Sequence, residues 1–366
     1  MPNPNAIVGW VERLVPPVGE PERGDKRQGR VLSFSDGRSA GFDPADPKAE
    51  ALARVIDSAS RLKRPVNIEF DPQSGFIRRL ILPDVSRPGA VRAAEEGLDV
   101  LLEQSHAIRR LYRTNPDFVE FEKLLRGRDW LIVTVDSDRI IDVRPFRPGP
   151  DGDLPPKLRK PPFFLEWRRW FWRWPLWPWR WWWWFGCVSP GRAQQVFDAM
   201  SATICAPVTA PAPCIPFNFP TDGCWARAHE MARLMKAMGL KPKKVWIQGW
   251  PLNAATKNDP DCSVTWGWHV APTLCVRQGR FPFLWGEQMV IDPSLFTTPV
   301  TKAQWKAVQN NPNAMLTDTD GDYYWWTSGI PDDPGYASTN YYLGVYRTAL
   351  MNQSIAHGPP PYAHCP

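Results

Sequence analysis

The chain has 366 residues, 43% hydrophobic and 22% charged, which is normal for globular protein and supplies apolar material for one substantial core and a smaller second one. The formal net charge of +6 is mild, and with no basic helix or nucleic-acid-binding signature it argues against an RNA or DNA partner. Two counts depart from the ordinary, 41 prolines and 21 tryptophans, and ten of the tryptophans fall between Trp167 and Trp184.

The opening Met1-Pro-Asn-Pro-Asn lacks the basic start and apolar run of a recognisable secretory signal. Residues 28–42 read as a hairpin: Val31-Leu-Ser-Phe alternates, Asp36-Gly37 supplies the turn and Ala40-Gly-Phe returns. Asp46-Pro47 predicts a helix start, with Asp as N-cap and Leu52, Val55, Ile56, Ala59 and Leu62 as the apolar stripe. Val66–Phe70 and Phe76–Leu82 form a second predicted hairpin. Residues 90–113 and 116–126 read as helices, and Trp130–Val143 as a third hairpin across Asp136-Ser-Asp. Residues 1–145 are therefore expected to form a small α+β domain, a pro-region or a targeting module. It shows no catalytic constellation, and its one histidine, His106, is expected on a solvated or partly buried helix face.

Residues 146–186 read as a linker, first rich in Pro, Gly and charge, then in Trp and Arg. The aromatic tract is about as long as a membrane-spanning helix, but Pro175, Pro178 and four arginines oppose one. Two readings stay open. The indoles pack on the flanking domains, or Trp and Arg together contact a membrane surface through residues 163–185. In composition the tract is similar to Trp-rich antimicrobial peptides.

Residues 187–366 make the second expected domain. Residues 191–202 predict a helix with Val196, Ala199 and Met200 on one face, and 205–220 an extended, proline-rich stretch. Thr221-Asp-Gly-Cys-Trp opens a helix to about Met238, ended by Gly239 and Pro242. Strands are expected at Lys244–Trp250, Val264–Val276 and Gln288–Asp292, a short helix capped by Thr301, and aromatic strands or loops at Tyr323–Trp326 and Tyr341–Tyr346.

All seven cysteines lie in this second domain. An odd count fits three disulfides plus one free thiol in an oxidising destination, so export is expected; seven free thiols are the alternative. The disulfide candidates are Cys187, Cys205, Cys214, Cys262, Cys275 and Cys365. Without a Cys-x-x-Cys pair no metal site is expected, and Asp318-Thr-Asp-Gly-Asp322 lacks the spacing of a calcium loop. No cofactor is expected.

Cys224 stands at the predicted helix start, where exposed N–H groups and the helix dipole favour a thiolate and an oxyanion. Asp222 is the expected N-cap, and Gly223 lets the chain turn before the nucleophile. A thiolate needs a proton carrier, and His269, mid-strand among aromatics, is the candidate, with Asp292 to fix its tautomer. His229 is a rival, but five residues along a helix puts it about 140° from Cys224. His357 and His364 lie in a Pro-rich tail. Trp225, Trp266 and Trp268 are candidates to wall an acyl pocket, against the ordinary fate of core packing.

Three blocks carry a family resemblance: Asp222-Gly-Cys-Trp-Ala-Arg-Ala-His-Glu-Met, then Trp268-His-Val-Ala-Pro, then Val290-Ile-Asp-Pro-Ser-Leu. In order and spacing they resemble bacterial protein-glutaminase, the protein-deamidating enzyme, over about residues 187–366. The resemblance implies an α+β fold with a papain/transglutaminase-like core, in which a nucleophile at a helix start packs on an antiparallel sheet. It implies a Cys224-His269-Asp292 triad that converts protein or peptide glutamine to glutamate through a thioester, with release of ammonia. Members carry a pro-region over the active site, which residues 1–145 would supply. A transglutaminase or cysteine peptidase on the same core remains an alternative, as does a membrane-active protein working through the Trp/Arg tract.

Overall fold

A computed structural model describes residues 5–15, 30–147, 186–280, 283–325 and 333–366. The linker and Trp/Arg tract, residues 148–185, lie outside the described residues. Among the described residues the architecture is mixed α+β with four sheets.

The N-terminal part begins with β1 (Ala6–Gly9), β2 (Val11–Val15), β3 (Val31–Phe34), β4 (Ser39–Gly41), α1 (Ala49–Arg61), β5 (Val66–Phe70) and β6 (Ile77–Ile81). Two three-stranded sheets, β1-β5-β6 and β2-β3-β4, enclose the apolar face of α1. Leu52, Val55, Ile56 and Ala59 are buried there, as the helical spacing requires. The helix starts later than Asp46-Pro47 suggested, with Lys48 at the N-cap; Asp46 instead accepts the Lys48 N–H at 2.8 Å.

Next come β7 (Asp84–Ser86), β8 (Pro88–Ala94), β9 (Gly97–Leu102), β10 (Ile108–Tyr112), α2 (Phe118–Leu125), β11 (Leu131–Asp136) and β12 (Arg139–Pro145). They form a six-stranded sheet in the order β7-β11-β12-β10-β9-β8, with only the β10–β12 pair parallel. The helix expected over 90–113 is thus three strands. Ala, Glu, Leu and Arg favour a helix there, but Leu98, Val100 and Leu102 are buried at period two, and sheet packing overrides the propensity. Gly97 permits the close pairing: a Cβ on it would lie 2.0 Å from the Leu111 carbonyl oxygen.

The C-terminal part holds α3 (Pro190–Ser201), α4 (Cys224–Ala237), β13 (Lys243–Ala255), β14 (Ser263–Arg280), β15 (Phe283–Val290), β16 (Val300–Thr301), α5 (Lys302–Ala307), β17 (Met315–Asp320) and α6 (Ala337–His357). Its antiparallel sheet runs β16-β15-β14-β13-β17. Helix α4 lies against β14, and Trp225, Trp246, Trp268 and Ile291 share their core. Tyr341–Tyr346, expected as a strand or loop, belongs to α6, whose Tyr342 and Tyr346 face the core one turn apart. Asp318–Asp320 form the end of edge strand β17, and a turn follows at Gly321–Asp322.

Three disulfides join Cys187 to Cys275, Cys205 to Cys214 and Cys262 to Cys365; Cys224 alone is free. The N-terminal part sits on the C-terminal part through polar contacts: Ser58 with Thr348 at 2.6 Å, Asn352 Nδ2 donating to the Leu80 carbonyl at 3.1 Å, and Ser137 with Asp261. Among the described residues no helix is long and apolar enough to cross a membrane.

Candidate active site

Cys224 is the first residue of α4 and is 1% exposed. The preceding Gly223 is the N-cap, with φ +83, and a Cβ there would lie 2.2 Å from the Tyr346 ring. Both conformation and space therefore demand glycine. Asp222 does not cap the helix as expected. Its carboxylate accepts the Gly223 N–H at 2.8 Å and turns toward the N-terminal part, to the Ser105 hydroxyl at 2.5 Å and the His106 N–H at 3.2 Å. The helix-start position was expected to lower the thiol pKa. Burial instead pushes it well above its usual value, and the buried Arg227 opposes that without overcoming it.

Strands β14 and β15 are antiparallel neighbours. His269 lies on β14, and Asp292 lies two residues past the end of β15. His269 Nε2 and Asp292 Oδ2 are 2.9 Å apart. Asp292 Oδ2 also accepts the Trp305 indole N–H at 2.9 Å, and Oδ1 the Ser294 N–H at 3.2 Å. Burial would raise the Asp292 carboxyl, but His269, Trp305 and Arg227 outweigh it and hold it below its usual value. Burial lowers His269 against the pull of Asp292. The imidazole stacks with Trp266 at 4.4 Å and with Trp305 at 5.4 Å between centroids. Its Nδ1 is buried and has no hydrogen-bond partner among the described residues.

The third contribution comes from far away in sequence. The β9–β10 loop, residues 103–107, enters the site. The β13–β14 ladder breaks between Gln248 and Leu252, which leaves Gly267 without a partner on β13. Gly267 N–H donates to the His106 carbonyl at 2.9 Å, and Ala107 bridges Trp266. The His106 ring, expected on a helix face, is fully buried among Trp225, Trp266, Trp268 and His269. Asp222 Oδ1 lies 2.8 Å from His106 Nδ1, and the buried Nε2 has no hydrogen-bond partner among the described residues. Burial lowers His106 to about 4 even beside Asp222, and the same contacts hold Asp222 at about 2 against its burial. One ligating atom each from His106, Cys224 and His269 falls within 4.8 Å of the others.

The structure thus gathers Cys224, His269 and Asp292, with Trp225, Trp266 and Trp268 around them, all buried. His229 lies elsewhere, with its Nδ1 2.8 Å from the buried Lys244 Nζ, and His357 and His364 are exposed. A cavity of about 450 Å³ between the N-terminal part and α6 reaches Asp222 and Arg109 but neither Cys224 nor His269. Sequence reasoning missed His106, Arg227 and Trp305. The last two stood within the quoted or predicted elements, but nothing local says that an arginine on α4 or a tryptophan on α5 faces the centre. For His106 there was no local signal at all.

Two stability measurements probe these contacts. Trp305→Phe removes one donor from a buried carboxylate and is expected to destabilise by about 1.5–3 kcal/mol in denaturant unfolding; a loss under about 0.5 kcal/mol would show that bond to be unimportant. The docked His106 refuses a proton that an unfolded histidine accepts, since its pKa falls from 6.5 to about 4. Its contribution is complete above pH 6.5 and is lost as pH falls toward 4. His106→Gln is expected to lower the slope of unfolding free energy against pH in that window by up to ~1.4 kcal/mol per unit. An unchanged slope would mean that the ring is not held neutral.

Residues 193–309 match the family model described as glutaminase. The fold is similar to a crystal structure of pro-protein-glutaminase, at 20% identity and TM-score 0.50, covering 78% of this chain and 99% of that one. It is equally similar to a mutant of a pro-protein-glutaminase, at 20% identity and TM-score 0.50, covering 72% of this chain and 91% of that one. The NMR structure of protein-glutaminase from Chryseobacterium proteolyticum aligns at 25% identity and TM-score 0.37, over 49% of this chain and 94% of that one. No curated protein matches the chain. The two likenesses at 20% identity are likenesses of fold.

Proposed function

We propose, from the glutaminase-family segment at residues 193–309, that this chain deamidates glutamine side chains of proteins or peptides. The observation that carries the reading is the convergence of the free thiol of Cys224 with the paired His269 and Asp292 at the start of α4. In this reading the C-terminal part is a papain/transglutaminase-like core, and residues 187–366 are the catalytic domain.

The His269 imidazole takes the Cys224 proton, and the thiolate attacks the γ-carboxamide carbon. The tetrahedral oxyanion forms beside the start of α4, where the helix dipole favours it. Protonated His269 gives its proton to the departing ammonia, leaving a thioester. His269 then deprotonates a water that attacks the thioester, and glutamate and the thiol are released. Asp292, held by Trp305 and Ser294, keeps the imidazole oriented through Nε2, so that Nδ1 is the nitrogen left for proton transfer. Arg227 lies where it would offset the thiolate charge. Trp266 and Trp268 would line the acyl side.

Protein substrates are supported by Gly267. Its N–H meets a peptide carbonyl, that of His106. A substrate backbone would use the same donor, as added strands do at a free sheet edge. The N-terminal part then holds the substrate's place, and in this reading residues 1–145 are a covering pro-region, as "pro-protein" describes the two fold relatives. The test is incubation of a glutamine-rich protein with the chain after cleavage of its linker. Ammonia release with a gain of about one dalton per site is expected. Amine incorporation or backbone cleavage in its place would assign the site to a transglutaminase or a peptidase.

A further inference from the structure

We propose that the covered form of the protein binds one zinc-class transition-metal ion through His106, Cys224 and His269, an inhibitory ion that ties the N-terminal part to the nucleophile. The set comprises two imidazoles and a thiol from three elements, the β9–β10 loop, α4 and β14, with ligating atoms all within 4.8 Å. Tetrahedral zinc with bonds of about 2.0–2.3 Å needs its ligand atoms roughly 3.3–3.6 Å apart, so small side-chain rotations close the set.

Three features of the site point to a ligand rather than to ordinary core packing. Nε2 of His106 and Nδ1 of His269 are buried without hydrogen-bond partners among the described residues, which is costly unless something accepts their lone pairs. The thiol beside them is the chain's free cysteine, the other six being paired. Each imidazole also has a carboxylate behind it: Asp292 on Nε2 of His269, and Asp222 2.8 Å from Nδ1 of His106. Carboxylate–histidine pairs of this kind fix the ring and strengthen it as a metal ligand. Two neutral imidazoles and a thiolate suit zinc and its neighbours, and not calcium or magnesium, which take oxygen ligands.

Binding would proceed by loss of the Cys224 proton to solvent and formation of a sulfur–metal bond, with the metal keeping its charge state. The bound thiolate cannot attack an amide, and the ion bonds to His106 as well. It would therefore both silence the nucleophile and hold the covering loop down. The site rests on the geometry alone. Its inhibitory consequence rests on the deamidase reading, and the experiment below reads metal binding without reference to activity.

The full chain, stripped of metal with a chelator, is titrated with Zn²⁺ by equilibrium dialysis and with Co²⁺ by absorption spectroscopy. Binding of one ion per chain and a thiolate-to-cobalt charge-transfer band are expected; absence of the band in the wild-type chain overturns the proposal without any variant. His106→Gln is expected to weaken Zn²⁺ binding by more than the about 10–100-fold that loss of an outer-shell partner costs. His106→Cys, which replaces one ligand by another, is expected to keep the band and intensify it. Undiminished binding by His106→Gln, or loss of binding in His364→Gln, which alters the other cysteine–histidine cluster, would place the ion elsewhere and defeat the assignment.

Discussion

Cys224→Ala is expected to abolish ammonia release from a glutamine-containing protein, with a fall of at least about 10⁴-fold in turnover. The magnitude follows from the kind of group removed. In the proposed mechanism Asp292 and Arg227 only modulate the nucleophile, and without the thiol no thioester forms. The variant should fold, because alanine replaces a buried cysteine that is in no disulfide and the helix start depends on Gly223. Comparable melting of the two proteins, followed by ammonia assay after linker cleavage, makes the comparison. Retention of full ammonia release by the variant would end the reading of Cys224 as nucleophile. An effect of the protein on membranes that survived the substitution would point instead to the Trp/Arg tract.

The second large effect concerns the N-terminal part. Proteolysis within residues 145–186 is expected to raise deamidation by at least about 100-fold, the gain that results if the uncovered form is at most about 1% populated beforehand. The β9–β10 loop is held at the site by several hydrogen bonds. Ser105 and the His106 N–H engage Asp222, the His106 carbonyl takes the Gly267 N–H, and Gln104 accepts from the Tyr342 hydroxyl. Cys224 beneath them is sealed and its thiol is held in the neutral form by burial. Once uncovered, the same thiol stands at a wetted helix start beside Arg227, where the dipole and the cation act with less opposition. Cleavage that leaves activity unchanged would make residues 1–145 a recognition module rather than a cover. Separation of the fragments by gel filtration after cleavage shows whether the contacts have been released.

The two effects bear on each other. A thiol poised for attack is also exposed to oxidation. An N-terminal part that buries it and adds a second imidazole to hold an ion on it protects it in the covered form. This gives His106 a meaning that its position on a supposed helix face did not suggest.

The sequence by itself determined the local elements that carry strong signals, and with them the family resemblance of the C-terminal half. The stripe of α1, the three N-terminal hairpins, the start of α4 at Cys224 and the Thr301 cap of α5 are each set by residues within a few positions of one another. The three blocks around Cys224, His269 and Asp292 were enough to mark the family resemblance, and the glutaminase match over 193–309 bears it out. Local signals failed where packing decided. Residues 90–113 carry helix-forming side chains yet pair as strands, because alternate residues are buried by a sheet assembled from distant segments. Tyr341–Tyr346 carries strand-forming side chains yet is helical, because α6 must present Tyr342 and Tyr346 together to α4. Only the tertiary structure could bring His106 to Cys224 across more than a hundred residues, and set the thiol's protonation. Helix position is written in neighbouring residues, whereas burial depends on everything that folds over it, and here burial outweighs the dipole.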